Sequence, residues 1–321
     1  RWAGSPISRA PGVAWSKKVG GPITHPIRAN NTGVFAVAAG TVYAFTASGE
    51  ALWTASLGAA GPVGFGDAGV FVPTREGIMQ VLDPDTGTIK ESHPGAQLIQ
   101  TAPLKLEPAI AWIDQAGTLK TTAGEYGSVI DGPVSDAASD GTHVIVGNRR
   151  GEVVATSTTE THWTADVPGP VIFHPVIADE VVYVSFGIND GVPGGVSAFD
   201  VNTGSLLWQS HLRLEPGAAP AVGEHIVVPD KKAELVALDR EHGGIRWRAP
   251  ASAAYSTQPA TQADAIYVGR YDGRVDRIDM ADGGTVWSVE LGAAVTGEPT
   301  YADGRIFLGT TDGRLIALEA K

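Results

Sequence analysis

AFDVNTGSLLW (198–208), ALDREHGGIRW (237–247) and RIDMADGGTVW (277–287) align without a gap as x-x-Asp-x-x-x-Gly-x-x-x-Trp. VLDPDTGTIKE (81–91) keeps the Asp and the Gly but carries Glu91 where the others carry Trp. AFTASGEALW (44–53) is one residue shorter and keeps Trp53. Weaker copies end at Trp15, near Ser128 and at Trp163, so the anchor positions are 15, 53, 91, 128, 163, 208, 247 and 287. Eight copies spaced 35–45 residues apart account for the whole chain. Self-similarity at a fixed period of this size decides a fold before any local propensity does.

A second marker recurs between the anchors. Pro26, Pro62, Pro103, Pro133, Pro175, Pro220, Pro259 and Pro299 fall one per repeat, each followed by short alternating apolar runs such as AIYVGRY (265–271) and RIFLGT (305–310). Tight turns, YDG (271–273) and TDG (311–313), lead into further runs. Alternation broken by Gly-containing turns predicts consecutive antiparallel strands, four per repeat: A near the Pro, then B, C, and D carrying the Trp. Four-stranded sheets repeated every ~40 residues are the signature of a β-propeller. The fold expected is all-β: an eight-bladed propeller of four-stranded antiparallel blades, one domain over residues 1–321.

Proline cannot donate to a sheet ladder, which places strand A at the inner edge. The Asp-x-x-x-Gly segment supplies the C-to-D turn, with Asp bonding local amides and Gly taking positive φ. The Trp side chains then dock between blades, Trp15, Trp53, Trp163, Trp208, Trp247 and Trp287 being the six candidates. Burying one such ring stabilises by about 4–6 kcal/mol as an upper bound. After Pro299 the chain supplies strands A, B and C but no D, whereas GVAWSKKV (12–19) is a D strand with nothing before it. The N-terminal strand therefore completes the C-terminal blade and leaves no open sheet edge.

Composition bounds the function. Lys+Arg 23 against Asp+Glu 35 gives a net charge of −12, which argues against a nucleic-acid partner. With Cys 0 there is no disulfide, thiolate zinc site or cysteine nucleophile. No run approaches the ~18 apolar residues of a membrane-spanning helix. A length prior of about 150 residues per domain suggests two domains, and the repeat overrides it. Gly 41 and Pro 21, about 19% of the chain, are the turn residues a propeller requires.

The repeats resemble the tryptophan-docking motif of the PQQ-type, quinoprotein-like propellers, Ala-x-Asp-x-x-x-Gly-x-x-x-Trp, over essentially the entire chain. One branch of that family, the quinoprotein dehydrogenases, holds PQQ and Ca²⁺ on the axis, in longer chains that often carry a Cys pair. The other is non-catalytic and similar to the BamB-like scaffolds of outer-membrane β-barrel assembly. Size, blade count and the lack of Cys favour the second. The resemblance implies no cofactor, no catalytic residues, protein partners in an envelope assembly complex, and a periplasmic or otherwise extracytoplasmic monomer whose signal or anchor preceded Arg1. The alternatives are a minimal PQQ-dependent oxidoreductase and an extracellular sensor domain of a larger membrane protein.

Site candidates follow from the irregularities. The residues before the strand-A prolines, His25, Gly61, Ala102, Gly132, His174, Ala219, Gln258 and Glu298, are expected to face the axis. His25 and His174 fall on opposite sides of an eightfold ring; His25 and Glu298 fall on neighbouring blades. Asp272 and Asp312 read as hairpin-turn residues, and Arg149–Arg150 and Lys231–Lys232 as solvated turns. The B-to-C connection GINDGVPGG (187–195) is longer than its counterparts, and the D-to-A connection HLRLEPGAA (211–219) places Leu212 and Leu214 where polar residues are usual. Loops on one face of a repeat array commonly bind. BamB-like scaffolds contact their barrel partner through a Leu-x-Leu-Arg segment; here Glu215 stands in place of that Arg, with Arg213 adjacent. Asn189, Asp190, Leu212, Arg213 and Leu214 are therefore the partner-binding candidates, with both leucines expected to be exposed.

Overall fold

A computed structural model describes residues 6–95, 97–132 and 134–320, without the side chains of Arg213 and Leu214. Among these residues there is no helix, and so none long and apolar enough to cross a membrane. The strands form eight four-stranded antiparallel sheets. Seven are consecutive: blade 1 spans Arg28–Ala29 to Ala51–Ser56, blade 2 Gly64–Gly66 to Ile89–Pro94, and blade 3 Leu104–Leu106 to Gly124–Ser128. Blade 4 spans Ala138–Ser139 to Thr161–Asp166, blade 5 Val176–Ala178 to Leu206–Leu214, blade 6 Ala221–Val222 to Ile245–Pro250, and blade 7 Ala260–Gln262 to Thr285–Glu290. Strands A of successive blades touch around most of the ring, which makes them innermost.

Blade 8 takes strands A to C from Val295–Ala302, Arg305–Thr310 and Arg314–Glu319 and its D strand from Gly12–Lys18, with Trp15 opposite Ala317. The ring closes as expected. The prolines sit one or two residues before strand A in blades 1, 2, 3, 5, 6 and 7 and inside it in blade 8, where Pro299 falls in the unpaired stretch between Thr296 and Thr300. Pro133 lies outside the described residues. The B strands depart from the expected alternation: Val34–Ala38, Gly69–Pro73 and Ala265–Gly269 are buried at every position, because a neighbouring blade covers each face.

The motif works across blades, not within one. In the turn, Asp200 Oδ1 accepts from the Asn202 and Thr203 amides at 3.1 and 2.8 Å, and Asp239 Oδ1 from Glu241 and His242 at 2.9 and 2.8 Å. Folding the turn this way presents the carbonyl after the Asp to the preceding blade. Trp53 Nε1 donates to the Pro84 carbonyl at 2.8 Å, Trp163 to Val201 at 2.8 Å, Trp208 to Arg240 at 2.8 Å and Trp247 to Met280 at 2.9 Å. The motif Gly is the platform beneath the indole. A Cβ on Gly243, at φ 69°, would meet Trp208 Cε3 at 2.4 Å. Trp15 donates to Ala47, and Trp287 to Ile7, which passes where blade 8 would have its C-to-D turn.

Blade 3 departs from this scheme. Its C strand pairs Lys120 with Glu125 and Thr121 with Gly124 through a tight hairpin at Thr122–Ala123 with no Asp-x-x-x-Gly. In blade 2 Gln80 pairs with Ser92 and Val81 with Glu91, so the position equivalent to the Trp in blade 3 is Gly124, not Ser128. The expected anchor is thus displaced by the shortened hairpin, which the fixed spacing concealed.

Candidate functional site

Strand B of blade 5, Val181–Phe186, and strand C, Gly194–Asp200, are joined by the longest such connection read from the sequence. Asn189 and Val192 exchange backbone hydrogen bonds at 3.1 and 2.7 Å around Asp190 and Gly191, both at positive φ, 43° and 84°. Two consecutive left-handed residues are what a type I′ turn requires, so the loop tip is shaped and not slack. Asn189 Nδ2 also donates to the Pro168 carbonyl at 3.2 Å, tying the tip to the connection leaving blade 4. Beneath it Gly169 runs so close that a Cβ there would lie 2.0 Å from the Gly187 carbonyl oxygen. Asn189 and Asp190 are exposed, and Ile188 and Val192 expose 51% and 38% of their surface.

The second expected segment is different from the sequence reading. Strand D of blade 5 runs from Leu206 to Leu214, so residues 211–214 belong to the strand and not to a connection. Gly195 pairs with His211 and Gly194 with Leu214, a bulge that leaves two residues of strand D unpaired. Leu212 continues the inward face that Trp208 begins. It is fully buried among Tyr183, Trp208, Ile226 and Val228 at the seam with blade 6, and its carbonyl accepts from Arg248 Nη2 at 3.0 Å. The expected exposure of Leu212 is therefore wrong, because residues 211–214 continue strand D instead of forming a loop, and Leu212, four residues after Trp208, falls on the same inward face as that ring. The Arg213 and Leu214 side chains lie outside the description.

The two segments do meet. His211 Nδ1 lies 3.3 Å from the Pro193 carbonyl, and the His211 ring packs edge-on against Phe186. Glu215, which follows the strand, pairs with Lys231 of the neighbouring B-to-C turn, and Arg150 of blade 4 pairs with Asp131 at 2.5 Å.

The axial residues are not gathered into one site. Glu298 pairs with Arg28 at 3.3 Å instead of with His25. Burial, then the nearby Arg75 charge, holds the His25 imidazole below its ordinary pKa, with Asp136 opposing. A cavity of about 650 Å³ opens among the A strands of blades 5 to 8, where Arg240 Nη2 meets Asp179 at 2.7 Å. A quinone cofactor needs a slot between ring faces and a cation at its oxygens. Among the described residues lining this cavity Tyr301 alone carries a phenyl ring, and Arg28 and Arg240 are both held by carboxylates, so the residues do not fit such a group. No group of three or more His, Asp or Glu among the described residues is placed to hold a metal ion.

Sequence reasoning missed the outer seam of blades 2 and 3. Trp112 stands on strand B of blade 3 where the other blades carry Val72, Val146, Val184, Val228, Val268, Leu308 or Ala36. It is 2% exposed and packs against Phe71, Met79 and Val81 of blade 2, filling from the far side the seam that Glu91 leaves unfilled. The signal was present: a lone Trp in AIAWID, one blade after the missing anchor.

Comparison with known proteins agrees with this architecture. The structure is similar to BamB from Moraxella catarrhalis, with a TM-score of 0.81 and 19% identity over 96% of this chain and 99% of that one. It is also similar to the computationally designed Ika8 protein, TM-score 0.78 and 18% identity over 94% and 98% of the two chains. Sqt1 of Saccharomyces cerevisiae superposes with a TM-score of 0.78 at 12% identity over 95% and 98%. At these identities the likeness speaks for the fold alone. No curated protein matches the sequence. A family profile described as outer membrane protein assembly factor BamB matches residues 95–192 and 192–321, well over half of the chain. The chain belongs to that family.

Proposed function

We propose that this chain is a non-catalytic propeller, a single eight-bladed unit, that serves as a protein-interaction scaffold in the bacterial envelope and presents blade 5 to its partner. The observation that carries the reading is the joining, through His211 and Pro193, of the shaped 187–193 loop to the overlong D strand of the same blade. A rigid loop carrying exposed Ile188 and Val192 beside Asn189 and Asp190 offers an apolar patch rimmed by polar groups, the pattern of a contact surface. Arg213 and Leu214 extend the proposed surface. Membership of the BamB family supports an assembly complex of the outer membrane as the partner and an extracytoplasmic location, with the protein itself monomeric.

The test is a photo-crosslinking residue at Asp190, introduced in cells. Capture of a component of the outer-membrane assembly machinery, lost when Ile188 and Val192 are both replaced by Asp, supports the reading. Equal capture from a control position at Thr159 of blade 4 overturns it. Because Leu212 is a core residue, a charge there would unfold the seam and report nothing about binding.

A further inference from the structure

The seam between blades 2 and 3 lacks both halves of the docking motif. Glu91 replaces the ring of blade 2, and the hairpin of blade 3 replaces the turn that would receive it. Trp112 fills the floor, but a crevice of about 280 Å³ stays open above it, between His93–Pro94 and the 121–125 hairpin. The His93 ring lies 6.2 Å from that of Trp112, centroid to centroid. A Cβ built on Gly124, in the hairpin that lines the crevice, has nothing within 4 Å, so that wall is open.

The one cation among the described residues of the lining, Lys120, is buried, and the exposed charges beside it are carboxylates. Lys120, with 9% of its side chain exposed, sits 3.4 Å from buried Asp114 and 3.2 Å from Glu125. With Lys120 set between Asp114 and Glu125, the balance is negative: Glu125, 62% exposed, lines the crevice, and Glu91, 53% exposed, adjoins its lining residue His93. Glu91 lies 3.3 Å from a His93 Nε2 that makes no hydrogen bond.

We propose that this crevice is a socket for an aromatic side chain, tryptophan above all, carried beside a basic residue on an extended segment of a protein partner. Six other seams of the ring show what these walls accept: an indole laid between strand D of one blade and the C-to-D edge of the next. The acidic mouth selects the basic neighbour, since opposite charges at a partly desolvated rim steer and orient a partner. The socket is on blades 2 and 3, apart from blade 5, and does not depend on the face proposed above.

The probe is the peptide acetyl-Gly-Arg-Trp-Arg-Gly-amide, titrated into the full chain and followed by the Trp112 indole N–H resonance. Saturable shifts confined to residues 91–95 and 112–126 are expected, absent with the peptide bearing Ala for Trp. Glu125→Lys, at an exposed position, should weaken binding about tenfold. Glu91→Trp, which offers the crevice a ring from its own chain, should weaken it at least as much while the protein stays folded by thermal unfolding. Equal shifts with the Ala peptide, or binding unchanged by Glu125→Lys, overturns the proposal.

Discussion

The seam between blades 6 and 7 and the seam between blades 2 and 3 join equivalent strands of successive blades, and differ in which blade supplies the aromatic ring. At the first, Trp247 from strand D lies over Gly283 and donates to Met280. At the second, the ring comes from Trp112 on strand B of the following blade. The contrast shows that the unit of sequence degeneracy is the seam, not the repeat. Blade 2 keeps its Asp83 and Gly87 because Trp53 docks there, and loses its own Trp where blade 3 has no turn. Blade 4 is the converse: it keeps Trp163, which docks on blade 5, but its turn from Thr156 to Glu160 has no Gly, facing a blade that offers only Gly124.

The largest expected effect breaks the comparison directly. Trp247→Ala removes a 9%-exposed ring from among Leu235, Tyr255, Ile266 and Ile278 and should cost about 3–5 kcal/mol. Trp112→Ala should cost the same if the two rings do the same work, whereas Glu91→Ala should stay within about 0.5 kcal/mol. Urea unfolding of the three variants decides it: a small loss for Trp112→Ala means that blade 3 is not held by that ring. Next in size is Gly243→Ala, which adds a Cβ at φ 69° and 2.4 Å from Trp208; about 1–3 kcal/mol is expected from the strained conformation.

A smaller effect is pH-dependent. Arg246 and the turn amides depress the Asp239 pKa from 3.8 to about 2. A depressed acid stabilises the fold above its unfolded pKa and loses that contribution as pH falls through the folded value. The wild-type urea midpoint should therefore fall between pH 3.8 and about 2, and Asp239→Ala should flatten that limb. An unchanged acid limb would mean that the turn aspartates do not hold the seams.

Most of the ring was legible because period and turn chemistry are local. The eight repeats, the Asp and Gly roles in the turns of blades 5, 6 and 7, and closure by Gly12–Lys18 all follow from spacing and from residues whose preferences act within a few positions. What was not legible depends on geometry that spacing cannot carry. Leu212 is inward because strand D of blade 5 runs on to Leu214, and the length of a strand leaves no mark on a pattern of period two. The blade 3 anchor was misplaced because a shortened hairpin shifts strand D without changing the repeat length much. The candidate face was half visible: the long loop could be counted, but its type I′ tip and its tie to Pro168 depend on how blades 4 and 5 lie against each other.

The smallest expected effect is also the sharpest test of the seam as the unit. If each repeat were an independent module, restoring the motif with Glu91→Trp would recover most of what Trp247 contributes. A seam needs both sides, and blade 3 offers neither a carbonyl held out by an Asp turn nor a glycine platform, while Trp112 already occupies the floor. The new ring would lie in the crevice with its N–H unsatisfied by any turn carbonyl. Its gain should be no more than about 1 kcal/mol, from partial burial of apolar surface alone. A gain as large as the Trp247→Ala loss would show that the indole needs no receiving turn.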